Sequence, residues 1–230
     1  MMQIYAVPIV GFPDRYFPHL LPFVTEERKQ RLFTFSRRED CLRGLLAELL
    51  IRKIASDTFA VPVKSILFEL TDFGKPSLKT PLNKLHYNIS HSGNWVVCIT
   101  DECTVGIDIE KKNAIDLQIA RQFFAQEEYD YIEGNWDEQQ KQERFFEVWT
   151  AKESYIKAIG KGLSIPLNSF STVRQGNVEG LRVFEHENWY LKTYLLDSEY
   201  ALTACSQSNK FCESVQIMPI DSLVSYFLNS

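Results

Sequence analysis

The chain is read as an α+β fold on two observations. Short alternating or apolar runs bounded by turn residues, which suit strands, occur in both halves, and so do longer stretches with apolar residues at helical spacing. A length of 230 residues is long for one compact unit and short for two ordinary ones, so two closely packed subdomains sharing a core are expected.

The elements follow in order. Gln3 to Val7 reads as a short strand, and Thr25 opens a basic helix carrying Arg28, Lys29 and Arg31. From Glu39, residues Leu42, Leu45, Leu46, Leu49, Leu50 and Ile54 predict a helix with one buried face, Arg43 at its edge, ending before Pro62. Ile66 to Leu70 is a predicted strand and Phe73-Gly74-Lys75-Pro76 a loop. His86 to Ser90, Trp95 to Thr100 and Val105 to Glu110 are predicted strands. A hairpin or short linker near Asp101 to Thr104 divides the chain into an N-terminal α+β subdomain, 1–104, and a C-terminal one, 105–230. Helices are predicted over Leu117 to Phe124, Glu127 to Ile132 and about Gln140 to Ile159, the last stopped by Gly160 and Gly162. Trp189 to Leu196, Tyr200 to Cys205 and Val215 to Met218 return to strands.

Composition narrows the function. With 45% hydrophobic and 24% charged residues the chain is an ordinary globular sequence. A net charge of -5 gives no basis for sequence-independent nucleic-acid binding, which needs many lysines and arginines against phosphates. No apolar run reaches the roughly 18 residues of a membrane helix. Five scattered cysteines without a C-x-x-C pair read as buried free thiols in a reducing compartment, so a cytoplasmic location is expected. P-loop, dinucleotide, zincin and nucleophile-elbow motifs are missing.

Four segments carry chemistry. In Gly106-Ile107-Asp108-Ile109-Glu110, strand alternation puts both carboxylates on one face, where they either meet a hard divalent cation or form a wet acidic edge. In Trp149-Thr-Ala-Lys-Glu153-Ser-Tyr-Ile-Lys157, positions four apart share a helix face. That face is either a third carboxylate beside a phosphate-binding lysine, or a surface ion pair beside a core tryptophan. Asn88-Ile-Ser90-His91-Ser92-Gly93 ends a strand in a polar turn suited to an anion, and Phe73-Gly74-Lys75-Pro76 offers open backbone and a cation. Arg28, Arg31 and Arg43 form a basic cluster if the first two helices pack side by side.

In this order, Phe73-Gly-Lys-Pro76, Asn88-Ile-Ser-His-Ser92, Gly106-Ile-Asp-Ile-Glu110 and Trp149-x-x-Lys-Glu153-x-x-x-Lys157 resemble the 4'-phosphopantetheinyl transferases of the Sfp type, over nearly the full chain. The resemblance implies a pseudo-dimeric fold of two similar α+β subdomains, monomeric, with coenzyme A in the cleft between them. The implied reaction moves the phosphopantetheine arm to a serine of an apo peptidyl or acyl carrier protein and releases 3',5'-ADP. It assigns Mg²⁺, with Mn²⁺ as an alternative, to Asp108, Glu110 and Glu153, and makes Lys157 the neutraliser of the pyrophosphate. Arg28, Arg31, Arg43 and His91 would surround the 3'-phosphate or nearby oxygens, Lys75 and Pro76 would border the adenine, and Ser90 would add a contact. Family position suggests Glu128 as the base, with Glu127 or a metal-bound water as alternatives. Leu117, Phe123 and Phe124 are candidates for the carrier-docking surface. A Mg²⁺-dependent phosphohydrolase and a non-catalytic coenzyme A or carrier-binding module are the competing readings.

Overall fold

The computed structural model describes residues 1–230, the side chain of Leu163 excepted. The strands are β1 (Gln3–Pro8), β2 (Phe68–Leu70), β3 (Pro76–Leu78), β4 (His86–Ser92), β5 (Trp95–Asp101), β6 (Val105–Lys111), β7 (Gly180–Phe184), β8 (Glu187–Thr193), β9 (Tyr200–Ser206) and β10 (Gln216–Ile217). The helices are α1 (Phe17–Leu20), α2 (Glu26–Leu32), α3 (Arg38–Phe59), α4 (Gln118–Phe123), α5 (Gln126–Glu133), α6 (Glu138–Ile159) and α7 (Ile220–Leu228). One sheet runs β10-β1-β5-β4, the other β6-β9-β8-β7, and β2 with β3 forms a separate hairpin.

The strand sequences dictate how these sheets stack. Along β5, Val96 and Cys98 join a core with Leu45, Leu46, Leu49 and Leu50 of α3, while Val97 and Ile99 join another with Ile107, Ile109, Leu202 and Ala204 of the second sheet. A strand buried on both faces reads as a continuous apolar run, as Val96 to Ile99 does. The second sheet covers its other face with α6, whose Phe145, Val148, Ala151 and Tyr155 pack with Trp189, Leu191 and Cys205. The layers are therefore α3, first sheet, second sheet, α6. Each half is a sheet backed by a 22-residue helix, as the α+β class with two similar subdomains requires.

Local signals explain the helix ends. Thr25 caps α2 by accepting the Arg28 amide, and Asp137 caps α6 by accepting that of Gln140. Gly160 stops α6 in the left-handed region, at φ 74°. β6 begins at Val105, and the segment that follows β9 returns to the N-terminal half. β10 pairs in parallel with β1, and Ile220, Leu223, Val224 and Phe227 of α7 pack in the N-terminal core. The apolar period of α7 gives that helix a face to bury, and α1 and α3 offer the partner surface. Of the five free cysteines, Cys103 is exposed and Cys212 half-buried, against the expectation that all are buried.

Candidate active site

The site forms where two sheet edges meet. β4 is the last strand of the first sheet and β6 the first of the second. Alternation on β6 sends Ile107 and Ile109 into the intersheet core and turns Gly106, Asp108 and Glu110 toward α6. Gly106 permits this approach, because a Cβ there would stand 2.0 Å from the backbone oxygen of Ser154. On β4, Asn88, Ser90 and Ser92 point to β6, where they accept the amides of Ile107, Ile109 and Lys111 at 2.9, 3.3 and 3.0 Å.

Asp108 is 1% exposed. Its Oδ1 accepts hydrogen bonds from Ser90 Oγ at 2.9 Å and from Lys157 Nζ at 2.5 Å. Its Oδ2 is buried and has no partner, alone in this among the described residues. Ser92 Oγ donates to Glu110 Oε2 at 2.9 Å. Burial, followed by the charge of Asp108, lifts the carboxyls of Glu110 and Glu153 above their usual range. Burial likewise pushes Asp108 up, against the pull of Lys157 and Ser90. Asp108 raises both glutamates, so the three acids form a like-charge cluster that a cation would relieve, and the buried, unpartnered carboxylate oxygen is a ligating atom such a site can use. The side chains are not closed onto one point: no group of three such residues is gathered at ligating distance among the described residues.

The basic residues approach from the other side. His91, next to Ser90 but on the opposite face of β4, keeps an exposed surface; partial desolvation by the surrounding protein, then the charges of Arg43, Lys157 and Arg28, depress its pKa below the usual value. Arg43 of α3 donates to the Gly93 carbonyl at 2.5 Å and pairs with Asp40. Arg28 of α2 is held by Glu48 of α3, which also receives the Thr25 amide and buried Arg52. α2 and α3 do pack side by side, which brings Arg28 and Arg43 toward His91 of β4 and Lys157 of α6. Arg31 stands one turn along α2 on its exposed face.

The other candidate residues lie as follows. Glu128 is 0% exposed: Oε1 accepts the Thr172 amide and hydroxyl at 2.7 and 2.8 Å, and Oε2 takes the Ala125 amide at 3.0 Å and Lys152 Nζ at 2.7 Å. Both oxygens of this enclosed carboxylate are engaged with the chain itself, in a buried ion pair that locks α5 to α6. The Lys75 ammonium is engaged with the chain itself. It donates to the carbonyls of Ala158 at 2.8 Å and Val105 at 3.3 Å, fastening the end of α6 to β6, while burial lowers its pKa to about 8. Pro76 beside it is exposed. Trp149 stacks on Phe145, ring centroids 6.1 Å apart, as a core residue. Of the docking candidates, Phe124 is buried, Leu117 half-buried and Phe123 exposed.

Sequence reasoning did not foresee the partners of Asn88, Ser92 and Lys152. The first two were legible as positions 88, 90 and 92 of one strand, matching the period of β6. Nothing in the sequence pairs Lys152 with Glu128.

Comparison with known proteins agrees in extent and in kind. The model of the 4'-phosphopantetheinyl transferase superfamily matches residues 104–205, and that of the 4'-phosphopantetheinyl transferase N-terminal domain matches residues 13–103. The chain is similar to 4'-phosphopantetheinyl transferase Sfp of Bacillus subtilis (strain 168), with 37% identity over 89% of this chain and 91% of the relative. It is 36% identical to 4'-phosphopantetheinyl transferase psf-1 of Bacillus pumilus, over 99% of this chain and 100% of the relative. It is also 36% identical to 4'-phosphopantetheinyl transferase gsp of Aneurinibacillus migulanus, over 100% and 97%. With matches of this identity running the length of both sequences, and with acidic and basic groups meeting at the junction of its two halves, the chain belongs to the 4'-phosphopantetheinyl transferase superfamily and is a transferase of that class.

Proposed function

We propose that this enzyme moves the 4'-phosphopantetheine arm of coenzyme A to a serine hydroxyl of apo carrier domains, in a Mg²⁺-dependent step that releases 3',5'-ADP. The reading is carried by the acid cluster Asp108, Glu110 and Glu153 beside Lys157, with Asp108 Oδ2 buried and partnerless. An all-oxygen, anionic donor set fits Mg²⁺, with Mn²⁺ as substitute, and these three residues would hold it. The cation, when bound, offsets charge gathering on the pyrophosphate oxygens.

The remaining work falls to the chain's own groups. Lys157 spends two ammonium hydrogens on Asp108 and Ser90 and keeps a third for the departing phosphate. Arg28, Arg43 and His91 form a basic wall suited to a phosphate monoester, with Arg31 near its outer edge. The Glu153 side chain makes no hydrogen bond among the described residues, which leaves its carboxylate to accept the serine proton in place of Glu128. The protein would act as a monomer. A reducing, cytoplasmic setting is supported by its five unpaired cysteines, and no described helix is long and apolar enough to cross a membrane.

The test is incubation with coenzyme A, Mg²⁺ and an apo carrier protein, followed by intact-mass spectrometry. A carrier heavier by the phosphopantetheine group is expected. Coenzyme consumed with an unmodified carrier would point to a phosphohydrolase, and coenzyme bound but unchanged to a binding module.

A further inference from the structure

β4 and β6 bring two open sheet edges together with no backbone ladder between them. An exposed strand edge is a row of unsatisfied amides, and here alternate side chains of β4 satisfy them. A serine hydroxyl that has accepted an amide hydrogen has one hydrogen left to give. An ionised carboxylate only accepts, so the direction is settled: Ser90 donates to Asp108 Oδ1 and Ser92 to Glu110 Oε2, each at 2.9 Å. In both acids one oxygen is held and the other left without a partner among the described residues, Oδ2 of Asp108 and Oε1 of Glu110.

We infer that Ser92 is a positioning residue for Glu110. Tied to the Lys111 amide, its hydroxyl restrains one carboxylate oxygen and thereby fixes the rotamer that presents the other to the metal. Ser90 treats Asp108 in the same way two residues earlier, but it also receives Lys157, so Ser92 is the member of the pair whose effect is confined to Glu110. This rests on the reading of Glu110 as a metal ligand. Outer groups that orient a ligand commonly contribute ten- to a hundredfold in metal affinity.

The experiment is Mn²⁺ binding to the full chain, followed by electron paramagnetic resonance with and without coenzyme A, for the parent, S92A, S92T and E110Q. Alongside it, the metal concentration for half-maximal transfer is measured. S92A is expected to bind Mn²⁺ about ten- to a hundredfold more weakly. It should recover most of its transfer rate at saturating metal, and S92T, which keeps the hydroxyl, should restore parental affinity. If S92A binds Mn²⁺ like the parent while E110Q does not, the role of Ser92 is refuted and the metal reading stands. If E110Q also binds Mn²⁺ like the parent, both fall. A purely structural Ser92 would lower the melting temperature and the rate at every metal concentration without moving the affinity, which also overturns the inference. Should S92A fail to fold, S92C, similar in size and a weak donor, is measured in the same way.

Discussion

Lys157 Nζ lies 2.5 Å from Asp108 Oδ1, on the oxygen that Ser90 also holds, so the lysine completes one side of the acid and leaves Oδ2 bare. The Lys157 side chain is 29% exposed and that of Asp108 2%, which puts the ammonium at the mouth of the cluster with its acid anchor behind it. A cation fixed in this way needs no reorganisation when a phosphate departs. Replacing Lys157 with Met keeps the length and removes the charge. Transfer should fall about a hundred- to a thousandfold in kcat, the usual effect of losing one preorganised donor. Steady-state kinetics with saturating metal check this, and an unchanged kcat would remove Lys157 from the reaction.

His91 provides a pH-dependent signal. Its pKa is depressed below 6.5 by partial desolvation and by the positive charges of Arg43, Lys157 and Arg28. A histidine whose folded pKa is lowered contributes stability that is present above 6.5 and lost as pH falls through that value toward the folded pKa, because the unfolded chain takes up the proton first. A phosphate monoester beside it reverses the balance. NMR titration of the His91 ring should give a midpoint below 6.5 in the free protein and a higher one with 3',5'-ADP bound. An unmoved midpoint means that His91 does not face the phosphate.

Much of this arrangement was legible in the sequence because it depends on period. Alternation over Gly106 to Glu110 put both acids on one face, and the four-residue spacing put Glu153 and Lys157 on one side of α6. What sequence could not supply were partners distant along the chain. Glu128 stands in an acidic helix start, Gln126-Glu127-Glu128, that looks exposed. Only the fold buries it against Lys152 and Thr172. Lys75 sits in a loop that resembles a ligand-facing turn, yet α6 ends above it and takes its ammonium as a cap for Ala158. The short α7 was missed because its partner surface belongs to the other half of the chain.

The Glu128 ion pair has its own test. Glu128→Gln leaves Lys152 as a fully buried ammonium without its counter-charge and should cost about 3–5 kcal/mol of stability, read from urea unfolding. The double substitution Glu128→Leu with Lys152→Met removes both charges and should recover most of that loss. Transfer by the double variant should stay within a few-fold of the parent. If a stable, folded double variant were inactive with Glu153 intact, Glu128 would have to be restored as the base.

Glu153 poses the opposite trade. Its carboxyl is raised by burial and by Asp108, so its ionised form is disfavoured in the folded, metal-free chain. A carboxyl with a raised folded pKa contributes stability that is complete below 4.5 and lost as pH rises through the folded value. Glu153→Gln removes that loss along with the charge. In chelator near neutral pH, E153Q should therefore unfold at a higher urea concentration than the parent, with the gap closing as pH falls toward 4.5. The same substitution should abolish transfer, because on the proposed reading the cluster loses both a metal ligand and the acceptor for the serine proton. A variant no more stable than the parent would show that Glu153 does not feel Asp108, and a fully active one would remove it from the site. Stability gained together with activity lost is the mark of an acid kept for chemistry at a cost to the fold.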